Sequence, residues 1–173
     1  MRCDLTVENL MATVEMLPNQ RAQAEVLSIG LTVGYPKVAD AVAWADRIIA
    51  DDPSPDLTVI DISMSGSRTN DDIISLLQGV PGGFDNVEVI RTAMAQMLAA
   101  IDNVPSYATA IALCLKRMAH AGRLPESPFG GNAYSFDEDF YLAREGICGS
   151  EAAVRQDLRN YLASHAAPEP LSG

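Results

Sequence analysis

Alanine outnumbers the aromatic residues by 24 to ten in this 173-residue chain. Alanine is the best helix former, whereas β-branched and aromatic side chains favour strands. The imbalance tilts the chain toward helix before any periodicity is counted. Punctuation is the second constraint: Pro18, Pro53, Gly79 and Pro105 interrupt apolar stripes that repeat at steps of three and four. Interrupted stripes give short helices at varied angles rather than one long regular bundle. The expected fold is all-α, a compact irregular bundle of seven to nine short helices.

The clearest stripe covers 86–101, with Val87, Ile90, Met94, Met97, Leu98 and Ile101 on one face. After the short link 102–105 a second stripe runs through Tyr107, Ile111, Cys114, Leu115 and Met118, and Gly122 ends it. Lys116, Arg117 and His120 sit in its last turns, where cations complement the helix dipole. A link this short makes 86–122 an antiparallel hairpin, expected at the centre of the fold. Ile90, Met94, Met97, Leu98, Ile111, Leu115 and Met118 are its expected core.

Weaker stripes place helices over 7–17 and 20–32, and another from Tyr35-Pro36 to Ala50 with Val38, Val42, Ala45 and Ile49 inward and Trp44 beside them. Thr69 is a good N-cap for a helix to Gln78, with Asp72 three residues on as a shortened capping box. Ser135 and Glu138 form the S-x-x-E box of a helix that carries Phe136, Phe140 and Tyr141 and stops at Gly146. Ser150 caps the last helix, whose stripe is Val154, Leu158, Tyr161 and Leu162. Segment 57–64 fits both a strand, through Ile60, Ile62 and Met64, and a helix, through Leu57, Ile60 and Met64. A lone strand would leave its backbone groups unpaired, so a helix is expected, with Ser54-Pro55 as N-cap and N1.

One domain spanning 1–173 is expected, with a frayed tail over 166–173 that carries Pro168 and Pro170. The start of the chain carries Asp4 and Glu8 without a long apolar run, and no stretch approaches the ~18 uncharged residues of a membrane span. No membrane is therefore expected as a partner, and the expected location is cytoplasmic. Cys3, Cys114 and Cys148 are odd in number and widely spaced. They read as reduced, buried thiols rather than zinc ligands or a redox pair.

The net charge is −11. Residues 40–72 hold eight aspartates against Arg47 and Arg68 alone. Such a field repels phosphate backbones, so nucleic acid is an unfavoured partner, and a protein with a basic surface is a favoured one.

No stretch matches a phosphate-binding loop, a dinucleotide fingerprint, a nucleophile elbow or a paired-histidine zinc site. Of the two histidines, His120 stands near a helix end and His165 in the tail. Asp71-Asp72 and Asp137-Glu138-Asp139 fall in the first turns of their expected helices, where carboxylates answer the positive helix end without a metal. No cofactor and no metal are expected.

Half of the ten aromatic residues lie within the thirteen residues 129–141, beside three consecutive acids. Phe129 and Tyr134 precede the capped helix and do not share its inward stripe. Aromatic anchors with an acidic rim suit protein recognition. Phe129, Tyr134, Asp137, Glu138 and Asp139 are therefore the candidate partner-binding residues. The expected function is a non-catalytic helical interaction module, an adaptor, inhibitor or immunity-type neutraliser that binds a basic protein surface. Two alternatives carry different signatures. A small enzyme would bring acids such as Asp61 and Asp72 together with His120 in a pocket. A self-assembling scaffold would show a large self-complementary apolar face.

Overall fold

The computed structural model describes residues 7–124 and 132–166. The fold is all-α: the described residues form nine α-helices and one 3-10 turn, with no strand. In order they are α1 (Val7–Glu15), α2 (Gln20–Val33), α3 (Val38–Asp51), α4 (Leu57–Ser63), α5 (Asn70–Gly79), α6 (Asn86–Asn103), the 3-10 turn Pro105–Tyr107, α7 (Ala108–His120), α8 (Asn132–Arg144) and α9 (Glu151–Ala166). No helix among the described residues is long and apolar enough to cross a membrane. Backbone contacts divide the chain into two compact units, Met1–Thr92 and Ala93–Gly173, with the division inside α6.

In the first unit α2 is buried along its length, which its sequence allows: Ala22, Ala24, Val26, Leu27, Ile29 and Leu31 surround the axis. A helix apolar on all sides belongs in an interior. Its one buried acid, Glu25, is paired with Arg21 one turn earlier at 2.7 Å, and the Arg21 guanidinium lies over the Phe84 ring. Asn19 caps α2 by accepting from the Ala22 N–H, and Gly34, at φ 93°, takes the left-handed turn that ends it. α2 packs on α1 and α5, while α4 packs on α3 and α5. Asn70 reaches from α5 to the Leu31 carbonyl.

Segment 57–64 is a helix, but its cap and its face differ from expectation. Asp56, not Ser54, caps α4 by accepting from the Thr58 N–H at 2.8 Å. Val59 and Ile62 are fully buried, whereas Leu57 and Met64 are 76% and 81% exposed. Residues 57, 60, 61 and 64 share one helical face, so turning it inward would bury Asp61. The same logic rotates α3 by one residue. Its buried positions are Ala41, Trp44 and Ala45, because the indole has more surface to remove from water than Val42 or Ile49. In α6, Val87 is exposed and Leu98 half-buried, since they share a side with Arg91; Val89, Ala93 and Ala100 take their place, and Ile101 is buried as expected. The other expected core residues, Ile90, Met94, Met97, Ile111, Leu115 and Met118, are buried.

Thr69 and Asp72 form the expected capping box of α5. The Asp72 carboxylate accepts from the Thr69 hydroxyl and N–H, which hold its pKa below the ordinary 3.8. A carboxyl lowered on folding contributes stability that is complete above its unfolded pKa and is lost as pH falls through the folded one. Asp72→Asn is therefore expected to flatten the fall of the melting temperature in the acid range below pH 3.8. Thr69→Ala is expected to cost about 0.5–2 kcal/mol in denaturant melts, as the loss of an N-cap does.

In the second unit α7 packs on α8 and α9, and α8 packs on α9. Ile111, Leu115, Phe136, Phe140, Leu158 and Leu162 are buried there. Phe136 meets Tyr161 edge to face at 5.6 Å. A fork of two hydrogen bonds from Arg159 in α9 holds Asp102 at 2.7 and 3.1 Å. α7 ends where expected. The Arg123 N–H reaches the Met118 carbonyl and the Gly122 N–H that of Ala119, a Schellman closure that needs the positive φ of Gly122. Ser150 caps α9 through the Ala153 N–H.

Cys114 and Cys148 are free thiols, and Cys3 lies outside the described residues. Cys114 is buried as expected, and burial pushes its pKa up to about 11. Cys148 is exposed instead, in the loop between α8 and α9. Iodoacetamide at about pH 8, followed by peptide mapping, is expected to modify Cys148 in the folded protein and Cys114 only after unfolding.

Candidate functional site

The helix that carries the candidate residues begins earlier than its sequence suggests. Ala133, Phe136 and Phe140 fall at steps of three and four and are all buried, so α8 starts at Asn132. Ser135 and Glu138 therefore lie inside the helix and do not cap it. The acids Asp137, Glu138 and Asp139 likewise lie beyond the first turn, where the helix dipole no longer accounts for them.

The earlier start puts Tyr134 on the helix rather than in a loop before it. Tyr134 (45% exposed), Glu138, Tyr141 (59% exposed) and Glu145 follow at steps of four, three and four. They line one solvent-facing stripe along α8 and just past its end. The Tyr134 hydroxyl donates to the Ala119 carbonyl at 3.0 Å, and its ring meets the His120 ring edge-on at 5.1 Å. These contacts fix the ring while leaving nearly half of the residue open to solvent. Asp137 is paired with Lys116 of α7 at 3.0 Å. Asp139 turns toward α9 and lines a cavity there, and Phe129 lies outside the described residues. The site thus brings together Tyr134 and Glu138 with Tyr141 and Glu145. The latter two follow from the i, i+4, i+7, i+11 register once Tyr134 is placed on the helix.

The aspartates of 40–72 are largely spent on helix ends. Asp40 accepts from the Lys37 N–H, Asp52 from Ser54, Asp56 from Thr58 and Asp72 from Thr69. Asp46 accepts from the Ser63 hydroxyl, and the neighbouring Arg47 is paired with Glu15. A cleft of about 380 Å³ opens beside this pair, floored by Trp44 and Ile48. His120 packs against Tyr134, whereas the acids and histidine that line one cavity are Asp139, Asp157 and His165. Among the described residues no group of three or more His, Cys, Asp or Glu is placed to hold a metal ion. No protein-family model matches this chain, nor does any curated protein or solved structure.

Proposed function

We propose that the chain is a non-catalytic interaction module that binds the basic surface of a partner protein through the outer stripe of α8. The observation that carries this reading is the exposure of Tyr134 and Tyr141 on one helical face, alternating with Glu138 and Glu145. Tyrosine supplies a large contact area at the cost of only two side-chain torsions. Tyr134 is already held by Ala119 and His120, so ordering it on binding costs little. Two glutamates along the stripe and a net charge of −11 favour encounter with a cationic surface and disfavour nucleic acid. The same reading places the protein in the cytoplasm, where the exposed Cys148 thiol stays reduced.

The test uses a fluorescein-labelled amphipathic lysine–leucine helical peptide and its glutamate–leucine counterpart. The lysine peptide is expected to bind, with affinity falling as salt rises toward physiological strength. Changing Tyr134 and Tyr141 together to Ala keeps the charge constant and is expected to weaken binding by roughly tenfold or more. Tyr141→Ala alone, at the more exposed position, serves if the double variant fails to fold. Equal binding of both peptides, or unchanged affinity in folded tyrosine variants, would refute the proposal.

A further inference from the structure

We propose that the cavity between α8 and α9 binds an organic cation on an aliphatic stem, an ammonium or guanidinium group held by Asp139 and Asp157 over Phe136 and Tyr161. The cavity measures about 360 Å³. Its apolar floor is the edge-to-face pair of Phe136 and Tyr161. Asp139 and Asp157 both line it, and with Phe136 they also line an adjoining cavity of about 270 Å³ that continues to Leu142 and Val154. The groove is therefore charged where the two cavities meet and apolar beyond.

Charge pairing in this unit passes these two carboxylates by. Asp137 has Lys116 and Asp102 has Arg159, yet Asp139 and Asp157 have no ion pair or side-chain hydrogen bond among the described residues. A second observation is independent of the acids. Tyr161 is only 7% exposed and lines the cavity, but its hydroxyl has no hydrogen-bond partner among the described residues. The hydroxyl keeps contact with solvent, so it is open to a polar group entering the cavity. The His165 Nδ1 lies 2.8 Å from the Tyr161 carbonyl, which can only accept. Nδ1 therefore donates, and in the neutral ring Nε2 keeps its lone pair. The lining thus offers acceptors and lacks a lysine or arginine of its own.

The same lining selects an organic cation over a metal ion. Two carboxylates and a histidine do not converge as a ligand set here, and an aromatic floor attracts ammonium or guanidinium through the ring quadrupole. The volume, near the lower end for ligand pockets, suits a slender alkyl chain. Such a group belongs either to a free polyamine or to a lysine or arginine side chain of a protein.

Calorimetric titration of the full chain with spermidine, N-acetyl-lysine methylamide, N-acetyl-arginine methylamide and Mg²⁺ tests the proposal. At least one amine or guanidinium probe is expected to bind at a single site. Asp139→Asn with Asp157→Asn is expected to weaken it by roughly tenfold to a hundredfold, as loss of charge-assisted bonds does. In the unmodified protein the same probe is expected to shift the amide resonances of residues 139, 157 and 161, a readout that needs no variant. Spermidine binding in preference to the amides identifies a free polyamine as the ligand, and the reverse identifies a protein side chain. The site does not depend on the tyrosine stripe, so the Tyr134→Ala, Tyr141→Ala protein is expected to bind the probe unchanged. Saturable Mg²⁺ binding in place of the amines would overturn the proposal. So would amine binding that persists in the doubly amidated variant, or the absence of any binding.

Discussion

Trp44→Ala is expected to destabilise the protein by about 3–5 kcal/mol. Trp44 is the one tryptophan in the chain and is 1% exposed within the first unit. The substitution removes nearly the whole indole from a packed interior and leaves a cavity beside the cleft that the ring floors. It also removes the Nε1–H bond to the Gln23 side-chain carbonyl, 2.8 Å long, which ties α3 to α2. Trp44→Phe separates the two contributions. It keeps most of the packing and is expected to cost less, with lost hydrogen bonding accounting for about 0.5–1.5 kcal/mol. Denaturant melts followed by circular dichroism measure both variants, because the alanine variant lacks the fluorophore. A loss under ~1 kcal/mol for Trp44→Ala would mean that α3 does not face inward through this residue.

Phe140→Ala is expected to cost a similar amount, about 3–5 kcal/mol, in the second unit. Phe140 is 1% exposed and lies one turn beyond Phe136 on the inner side of α8. The helix should survive locally, since alanine is a better helix former than phenylalanine. The loss is therefore one of packing. Leu98→Ala should cost distinctly less than either substitution, because Leu98 is only half-buried. The Trp44 and Phe140 variants together also test whether the chain folds as one domain. A single domain requires both to lower one shared unfolding transition. Two transitions, each moved by one variant, would make the two units separate folding domains.

The all-α class, the helix order and most helix ends were legible because they rest on local chemistry. Thr69 with Asp72, Ser150, Gly122 and Gly146 act within a few residues of themselves, and each marks its helix boundary in the structure. Helix faces were less legible. In α4 and α6 the aliphatic spacing alone chose Leu57, Met64, Val87 and Leu98, while Asp61 and Arg91 shared those sides. A charge at the right angular position decides which way a short helix turns, and counting apolar steps does not weigh it. Trp44 shows the complementary effect, one large ring outweighing two aliphatic neighbours.

The candidate site was half legible for the same reason. The concentration of aromatic residues and acids at 129–141 drew attention to α8, but the Ser135–Glu138 pair imitates a capping box. That resemblance placed the helix start four residues late, at Phe136 rather than Asn132. Tyr134 then read as a loop residue, and its register with Tyr141 and Glu145 was hidden. Ala133 was the available signal, since it extends the Phe136–Phe140 stripe upstream. The α8–α9 cavity could not be read from the chain at all. It joins Asp139 to Asp157 and His165 across two helices, and no spacing within either helix encodes that meeting.

The most direct test of the interaction surface is a residue-resolved footprint. ¹⁵N-labelled protein titrated with the lysine–leucine peptide is expected to show its largest saturable amide shifts at Tyr134, Glu138, Tyr141 and Glu145. Those shifts should disappear in the Tyr134→Ala, Tyr141→Ala variant. Shifts concentrated instead on the aspartates of 40–72, or spread over the surface without saturation, would contradict the assignment of α8 as the binding face.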